Sequence, residues 1–205
     1  MPCRCAAIAK NVEPATGSGR LREQMACETE QLVDEILVMD AQIGRVRALE
    51  ALIERWQKRL WRYAYDLTGR PDGAWDVTQD SWLAIVRGIG RLKDPAHFKA
   101  WAYRIVTNKA NDWIRRERRH GAPLLPQADK PAAAGIDAST DLRDLLRRLS
   151  AASKTVLTLH YLEGFSVAEI AGILRIAQGT VKSRLHTARK ELKQLWQAAD
   201  PDRRL

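Results

Sequence analysis

The sequence predicts an all-α fold in two helical domains joined by a flexible linker, and three observations support this prediction. Apolar residues recur at helical spacing before residue 120 and again after residue 139. The intervening segment 121–138 is rich in Ala, Pro and Gly and has no such period, which is typical of a linker. No segment alternates apolar and polar residues over a useful length, so no strand is expected. We therefore expect one domain over 31–120 and a second over 139–199.

The first thirty residues are predicted to form a disordered tail, because they mix Pro, Gly, Ser and charge without a stable period. Cys3, Cys5 and Cys27 all lie in this segment. Their odd number argues against a disulfide framework. No His or fourth Cys stands near them at the spacing of a zinc site, so we expect no metal.

Charge and hydropathy restrict the class of protein further. The chain has 205 residues and a formal net charge of +9, which favours a polyanionic partner such as nucleic acid or an anionic membrane surface. No apolar run approaches the ~20 residues that cross a bilayer, and the amino terminus lacks the apolar core of a signal peptide. We expect no membrane insertion and a cytoplasmic protein. Paired carboxylates, a phosphate-binding Gly loop and an activated nucleophile are not found, so neither an enzyme nor a cofactor is expected.

The first domain is predicted to contain three helical segments. The pattern is helical from 30 to 68, and its apolar face consists of Leu49, Leu52, Ile53, Trp56, Leu60 and Tyr63. A turn rich in Gly and Pro separates it from a second helix at 74–89, which ends at Gly90. Asp94 as a cap and Pro95 in the first turn begin a third helix over 95–118. Trp101 and Trp113 lie on its apolar stripe and are expected in the core.

The second domain is predicted to contain a helix-turn-helix. A first helix carries four leucines, at positions 142, 145, 146 and 149, and Ser150 can cap a further helix that ends at Gly164. Ser166 and Glu169 form a capping box that opens a short helix. A tight turn at 176–178 and a longer helix at 179–196 follow. A short helix, a tight turn and a longer basic helix are the parts of a helix-turn-helix.

The last helix is expected to face nucleic acid. Val181, Leu185, Ala188, Leu192 and Leu195 share one face at helical spacing. Basic and small polar residues cover the other faces, and such side chains bind phosphates and base edges. The candidates are Thr180, Lys182, Ser183, Arg184, His186, Thr187, Arg189 and Lys190. A solvated basic helix in an ordinary bundle is the alternative that this pattern alone leaves open.

The second domain resembles region 4 of bacterial RNA polymerase sigma factors. The resemblance rests mainly on the runs Tyr161-Leu162-Glu163-Gly164, Ala168-Glu169-Ile170-Ala171 and Gly179-Thr180-Val181-Lys182-Ser183-Arg184-Leu185-His186. It implies that this domain binds the upstream, minus-thirty-five promoter element. Arg175 stands where the family commonly has Gly, and Thr187 stands where a basic residue is common. Similar helical readers occur in response regulators, so a transcription factor without polymerase docking is the alternative reading.

The first domain resembles sigma region 2, and its second helix carries the more specific motif, Asp76-Val77-Thr78-Gln79-Asp80-Ser81-Trp82. The resemblance implies docking on the beta-prime clamp of core RNA polymerase. Helical spacing places several of these residues on one face, with carboxylates that can meet basic groups of a partner. The candidate docking residues are Asp76, Val77, Gln79, Asp80, Leu83 and Arg87.

The third helix and the loop before it resemble the part of region 2 that melts the promoter and reads its minus-ten element. The resemblance implies that the loop 91–97 holds a base flipped out of the stack. A polar, mostly basic stripe suits a single strand. The candidates are Lys93, His97, Arg104, Asn108, Asn111, Arg115 and Arg118.

Both resemblances together identify the chain as a member of the extracytoplasmic-function group, in which no domain separates the two modules. The implied activity is binding of core RNA polymerase, promoter recognition, DNA melting and initiation at a specific regulon. The implied partners are core RNA polymerase, through its beta-prime clamp and beta flap, promoter DNA and an anti-sigma factor.

Overall fold

The structure is a computed structural model, and it describes residues 17–119 and 148–199. Every regular element within these two ranges is helical, which confirms the all-α prediction for this part of the chain. The chain divides into two compact units, with the main boundary after Leu124. The segment 121–138 and the leucines at 142, 145 and 146 lie outside the described residues.

Four helices and two short 3₁₀ turns build the described part of the first unit, residues 17–119. The helices are α1 (Gly17–Gln42), α2 (Val46–Thr68), α3 (Pro71–Gly88) and α4 (Phe98–Arg119). The turns Ile89–Arg91 and Pro95–His97 connect α3 to α4. Pro71 occupies the first turn of α3, where its missing N–H has no intrahelical acceptor to lose. The second helix therefore begins three residues earlier than the sequence pattern predicted.

Two sequence-based expectations about the amino-terminal part are wrong. Residues 17–30 belong to α1 and are not a disordered tail; Leu, Arg, Glu, Gln, Met and Ala dominate 20–30, and these are strong helix formers. The helical pattern of 30–68 is also interrupted. α1 ends at Gln42, and Gly44 has a φ of 86°, a left-handed conformation that ends helices. Ion pairs hold α1 against α2, among them Arg55 Nε to Asp34 Oδ1 at 2.9 Å.

Aromatic side chains from α2 and α4 form the centre of the first unit. Trp56 packs edge-on against Phe98 and Tyr103, with ring centroids 5.7 and 6.5 Å apart. Tyr63 is also buried and contacts Tyr103 at a centroid distance of 4.9 Å. Edge-to-face and tilted pairs of this kind add to the free energy of burial. α4 is thus fixed on α2 by large, rigid side chains.

A buried hydrogen-bond chain supports the same interface. Thr107 Oγ1 donates to Tyr103 O at 2.8 Å, so its single proton is used. The 2.9 Å contact between Tyr63 and Thr107 Oγ1 is therefore donated by the Tyr63 hydroxyl. Both hydroxyls are satisfied inside the core, as buried polar groups require.

Trp113 closes the carboxyl-terminal end of this interface. Its side chain is buried, as predicted, and lies directly over Gly73 of α3. A Cβ atom at position 73 would stand 2.5 Å from the indole, so only Gly fits. Trp101 is half-buried and packs on Phe98 with ring centroids 6.3 Å apart, so its placement in the core is only partly correct.

Three helices form the described part of the second unit. They are α5 (Ala151–Leu157), α6 (Val167–Leu174) and α7 (Gln178–Ala199). Ser150 caps α5 as predicted, because its hydroxyl accepts from Ser153 N at 3.2 Å. The expected single helix up to Gly164 is not continuous. A π-helical turn, Thr158–Leu162, follows α5, and Gly164 then adopts a φ of 72°.

The capping box of α6 forms as the sequence predicted. Glu169 N donates to Ser166 Oγ at 3.1 Å, and Ser166 N donates to Glu169 Oε2 at 2.8 Å. At the other end, Arg175 caps α6 with a φ of 55°. Arg175 is the one non-Gly residue with positive φ in the described part of the chain. The left-handed conformation explains why Gly is common at this position in the resembling family.

Candidate functional site

The exposed face of α3 contains most of the predicted docking residues. Asp76, Gln79 and Arg87 are exposed, and Leu83 retains 49% of its accessible surface. Asp80 is half-buried and lies 4.0 Å from Lys109 Nζ on α4. These five side chains follow each other at helical spacing along the solvent side of one helix. The face therefore combines two carboxylates with an apolar centre.

Val77 does not belong to this face. It is 2% exposed and points into the core together with Ala74 and Ile85. One residue along an α-helix turns the side chain by about 100°, which moves position 77 from the face of Asp76 to the buried side. Thr78 and Ser81 of the same motif are also buried, and each hydroxyl donates to a carbonyl one turn earlier. The inclusion of Val77 among the docking residues is corrected accordingly.

An aromatic group beside this face was not predicted. Trp61 of α2 stacks on Tyr65 at 5.5 Å and contacts Trp75 of α3 at 5.6 Å. Trp75 is 53% exposed and Val86 is 43% exposed, so the apolar surface extends from Leu83 toward α2. The sequence signal was available, because 75, 79, 83 and 86 share one side of α3.

The polar stripe on α4 has the exposure that the sequence predicted. Asn108, Asn111, Arg115 and Arg118 are exposed, and Arg104 is half-buried. Arg116 and Arg119 are exposed as well and were not among the candidates. The run of arginines at the end of the helix is the sequence feature that could have predicted these two residues. The stripe presents amide groups in its middle and guanidinium groups at its carboxyl-terminal end.

Glu117, the acidic residue within this arginine run, pairs with Arg70, which directly precedes α3. Arg70 Nη1 lies 3.0 Å from Glu117 Oε2, and its guanidinium stands 5.5 Å from the Trp113 ring centroid. Arg70 also donates to Asp72, and this hydrogen bond holds the pKa of the Asp72 carboxyl below its usual 3.8. Glu117 therefore lies half-buried on the side of α3, and the arginines keep the exposed side of α4 basic.

The loop before α4 exposes both residues predicted to contact DNA, Lys93 and His97. Asp94 organises its second half: Oδ1 accepts from Ala96 N at 3.0 Å, and Oδ2 contacts His97 Nδ1 at 2.8 Å. This agrees with the predicted cap, although Asp94 caps a 3₁₀ turn and α4 itself begins at Phe98. The loop is thus a structured element on the surface of the first unit.

Six of the eight candidates on α7 are exposed, and the other two, Thr180 and Arg184, are half-buried. Val181, Leu185 and Ala188 are buried as predicted, whereas Leu192 and Leu195 are half-buried. Helical spacing separates the eight into three positions around the helix. The central face has Ser183, His186, Thr187 and Lys190; one flank has Thr180 and Arg184; the other has Lys182 and Arg189. They do not all share one face, so one groove cannot contact all eight equally.

Arg189 has a partner within the second unit. Its Nε donates to the Tyr161 hydroxyl at 2.7 Å, and the guanidinium lies 5.6 Å from the Tyr161 ring centroid. Sequence reasoning missed this contact because the two residues are 28 positions apart. The contact ties α7 to the π-helical turn and engages the guanidinium of Arg189 within the second unit.

Two further properties concern the described ranges 17–119 and 148–199. No helix there is long and apolar enough to cross a bilayer. Within the same ranges, no group of three or more His, Cys, Asp or Glu side chains could hold a metal ion.

Comparison with family models and with known proteins identifies the class of this protein. The model of Sigma-70 region 2 matches residues 52–120, and the model of Sigma-70 region 4 matches residues 139–192. The first match contains α3 and α4, and the second contains α6 and most of α7. These matches define the class as that of the sigma-70 proteins.

Curated relatives narrow the class. The chain is 31% identical over 186 residues to the ECF RNA polymerase sigma factor SigM of Mycobacterium tuberculosis, covering 89% of this chain and 90% of the relative. It is 34% identical over 166 residues to SigL of the same species, covering 76% and 93%. The chain therefore belongs to the ECF RNA polymerase sigma factors. Members of this family are sigma factors, not enzymes, and direct promoter-specific transcription.

Two solved structures of similar chains are complexes. The sigma factor RpoE of Bartonella quintana, solved with the anti-sigma factor NepR, is 28% identical, with a TM-score of 0.64 over 75% of this chain and 98% of that one. CnrH, solved with the cytosolic domain of CnrY, is also 28% identical, with a TM-score of 0.61 over 81% and 98%.

Proposed function

We propose that this sigma factor divides its work among three surfaces. The exposed face of α3 docks on the beta-prime clamp of core RNA polymerase. The stripe on α4 and the loop before it bind the melted minus-ten element. The central face of α7 and its Arg184 flank bind the minus-thirty-five element as duplex DNA. The second unit also contacts the beta flap. The protein acts in the cytoplasm, where polymerase and chromosome meet.

The observation that carries the proposal is the α3 face, because a helix-turn-helix alone does not require it. Two carboxylates, an exposed leucine and an exposed tryptophan stand together on a helix whose other side is fully packed. Apolar centres with charged surroundings are typical of protein interfaces. A response-regulator-type transcription factor, which contacts only duplex DNA, has no use for such a face.

Charge reversal on α3 tests the docking proposal. We expect Asp76→Arg combined with Asp80→Arg to weaken binding of core polymerase on the order of tenfold, since like charges replace complementary ones across an interface. The matched control is Glu50→Arg with Glu54→Arg, which changes the net charge equally on the exposed side of α2. Fluorescence anisotropy with labelled protein measures the affinity for core polymerase. Equal affinity of both double variants would exclude α3 as the docking face.

We also propose that an anti-sigma factor binds and regulates this protein, because the similar sigma factor RpoE was solved in complex with the anti-sigma factor NepR. A protein that occupied the α3 face would block docking on polymerase by competition. The test begins with expression of the tagged chain in its own host and identification of the proteins that co-purify with it. Each of these proteins is then tested for competition with core polymerase for binding to the chain. A bound protein that leaves core binding unchanged would contradict this mode of regulation.

A further inference from the structure

Gln42, the last residue of α1, contacts the loop proposed to hold a flipped base. Its Nε2 lies 3.0 Å from Ile89 O and 2.7 Å from Leu92 O. Both partners are carbonyl oxygens and can only accept, so the amide nitrogen must face them and uses both of its hydrogens. One half-buried side chain thus joins Ile89, at the start of the 3₁₀ turn that leads into the loop, to Leu92 within the loop, from 47 and 50 residues away along the chain.

The end of α1 fixes the position of Gln42. Gly44 follows in the left-handed conformation, and the chain then reverses so that Arg45 N donates to Asp40 O at 3.0 Å. The Arg45 guanidinium pairs with the Asp40 carboxylate at 2.8 Å. Val38, one turn before Gln42, is fully buried. Gln42 therefore projects from a rigid helix end.

The two halves of the loop are held in different ways. Asp94 binds Ala96 and His97, so the second half is organised by its own residues. In the first half, Leu92 N donates to Ile89 O at 3.1 Å, and Ile89 is buried. The carbonyl of Leu92, next to the exposed Lys93, is fixed by Gln42. Loss of Gln42 would release the first half of the loop and leave the second half in place.

We infer that Gln42 is a positioning residue for minus-ten recognition: its amide holds the backbone of residues 89–92 so that the loop presents one conformation to the flipped base. The inference rests on the proposed function, because the loop's contact with DNA is itself a proposal. This role requires no contact between Gln42 and DNA. Its contribution is preorganisation, which reduces the ordering that binding would otherwise require.

Three substitutions distinguish the effect of the hydrogen-bond donors of Gln42 from the effect of its side-chain shape. Gln42→Met keeps the length and the helix propensity but removes both donors. Gln42→Glu is a second variant without donors, and it serves if the Met variant does not fold. Gln42→Lys changes the shape but restores N–H groups that can reach carbonyl oxygens. Gln31→Met is the matched control, because the exposed Gln31 lies on the same helix and its amide donates to Glu35, one turn along that helix.

The main readout is base discrimination by the holoenzyme. Core polymerase with each variant captures single strands from a DNA library with a short random window, and sequencing gives the ratio of preferred to disfavoured base at each position. We expect Gln42→Met to lower this ratio about tenfold at the flipped position, as the loss of one or two net hydrogen bonds implies. Gln42→Lys recovers most of it, and Gln31→Met leaves it unchanged. The positive charge of Lys would raise the affinity for every strand in the library by the same factor. That factor cancels in the ratio of preferred to disfavoured base.

A second readout does not involve DNA. Hydrogen exchange of the peptide spanning 89–97 should accelerate in Gln42→Met, while peptides from α2 and α4 keep their protection. Unchanged exchange in this peptide, or equal loss of discrimination in the Met and Lys variants, would overturn the inference. If the wild-type holoenzyme shows no preference at any position, the proposed role of the loop fails, and the exchange experiment still decides whether Gln42 positions it.

Discussion

The two helices assigned to DNA, α4 and α7, have the same length of 22 residues but are anchored differently. α4 rests on large aromatic side chains of α2 and on a buried hydrogen-bond chain through Thr107. α7 rests on Val181, Leu185 and Ala188, and its carboxyl-terminal half is only partly buried.

The difference corresponds to the form of DNA that each helix is proposed to bind. The major groove of a duplex has its own width and donor pattern, so a lightly anchored helix can adjust to it. A melted strand has no fixed shape, so the protein must supply the geometry that distinguishes one base from another. A rigid aromatic base under α4 provides that geometry. We therefore expect the two helices to respond differently to substitution.

The largest expected effect is on the anchoring of α4. Trp113→Ala should lower the free energy of unfolding of the first unit by about 3–5 kcal/mol, because the indole is buried and leaves a cavity. Trp75→Ala, at an exposed tryptophan of the same unit, should lower it by about 1 kcal/mol through lost stacking on Trp61. Denaturant titration followed by tryptophan fluorescence measures both. Equal losses would show that α4 has no special anchor.

The next effect separates single-strand from duplex binding. Arg184→Ala should weaken binding of the free sigma factor to duplex DNA that contains the minus-thirty-five element. The expected loss is about 1–3 kcal/mol if Arg184 reads a base. The same substitution should leave binding to minus-ten single strand unchanged. Asn108→Ala should do the reverse, since an amide can read an unstacked base edge. Anisotropy with the two labelled DNAs tests the assignment, and loss of both activities in either variant would contradict the division of work.

A smaller effect is expected at the cap of α6, and it is stabilising. Arg175→Gly should raise the stability of the second unit by about 1 kcal/mol, because Gly adopts the left-handed conformation without steric cost. Gly164→Ala is the reciprocal control: Gly164 has a φ of 72°, and a Cβ atom added there would meet no other atom within 4 Å, so only backbone strain changes. Thermal melting followed by circular dichroism should show shifts of opposite sign. Shifts of the same sign would rule out backbone strain as the cause.

The smallest expected effect is on the stability of the first unit at acidic pH. The pKa of Asp72 is lowered in the folded protein, so its contribution to stability is present above pH 3.8 and is lost as the pH falls below that value. Asp72→Asn should therefore make the first unit less sensitive to acid between neutral pH and the lowest pH at which it remains folded. Glu50→Gln, at an exposed position of α2, is the control. Since Asp72 is largely exposed, a large change would indicate a different cause.

Local signals in the sequence predicted much of the fold. The capping box at Ser166, the cap at Asp94 and the apolar stripe of α4 follow from neighbouring residues alone. The break at Gly44 was missed because helical periodicity continues on both sides of it. Val77 was misplaced because a motif was read as a unit, although adjacent residues of a helix face different directions. The contacts of Gln42 and Arg189 connect distant parts of the chain, so no local pattern could reveal them.

The fit of Trp113 over Gly73 also restricts how these two positions can change together. Any side chain at position 73 would overlap the indole, whereas a smaller residue at position 113 only opens a cavity. A second substitution at position 73 could then fill part of that space. The two positions can therefore be substituted in only one order: position 113 must change first. The protein with that single substitution is less stable than the starting protein. A sigma factor close to its stability threshold has few such intermediates available, which makes this pair a barrier to sequence drift within the first unit.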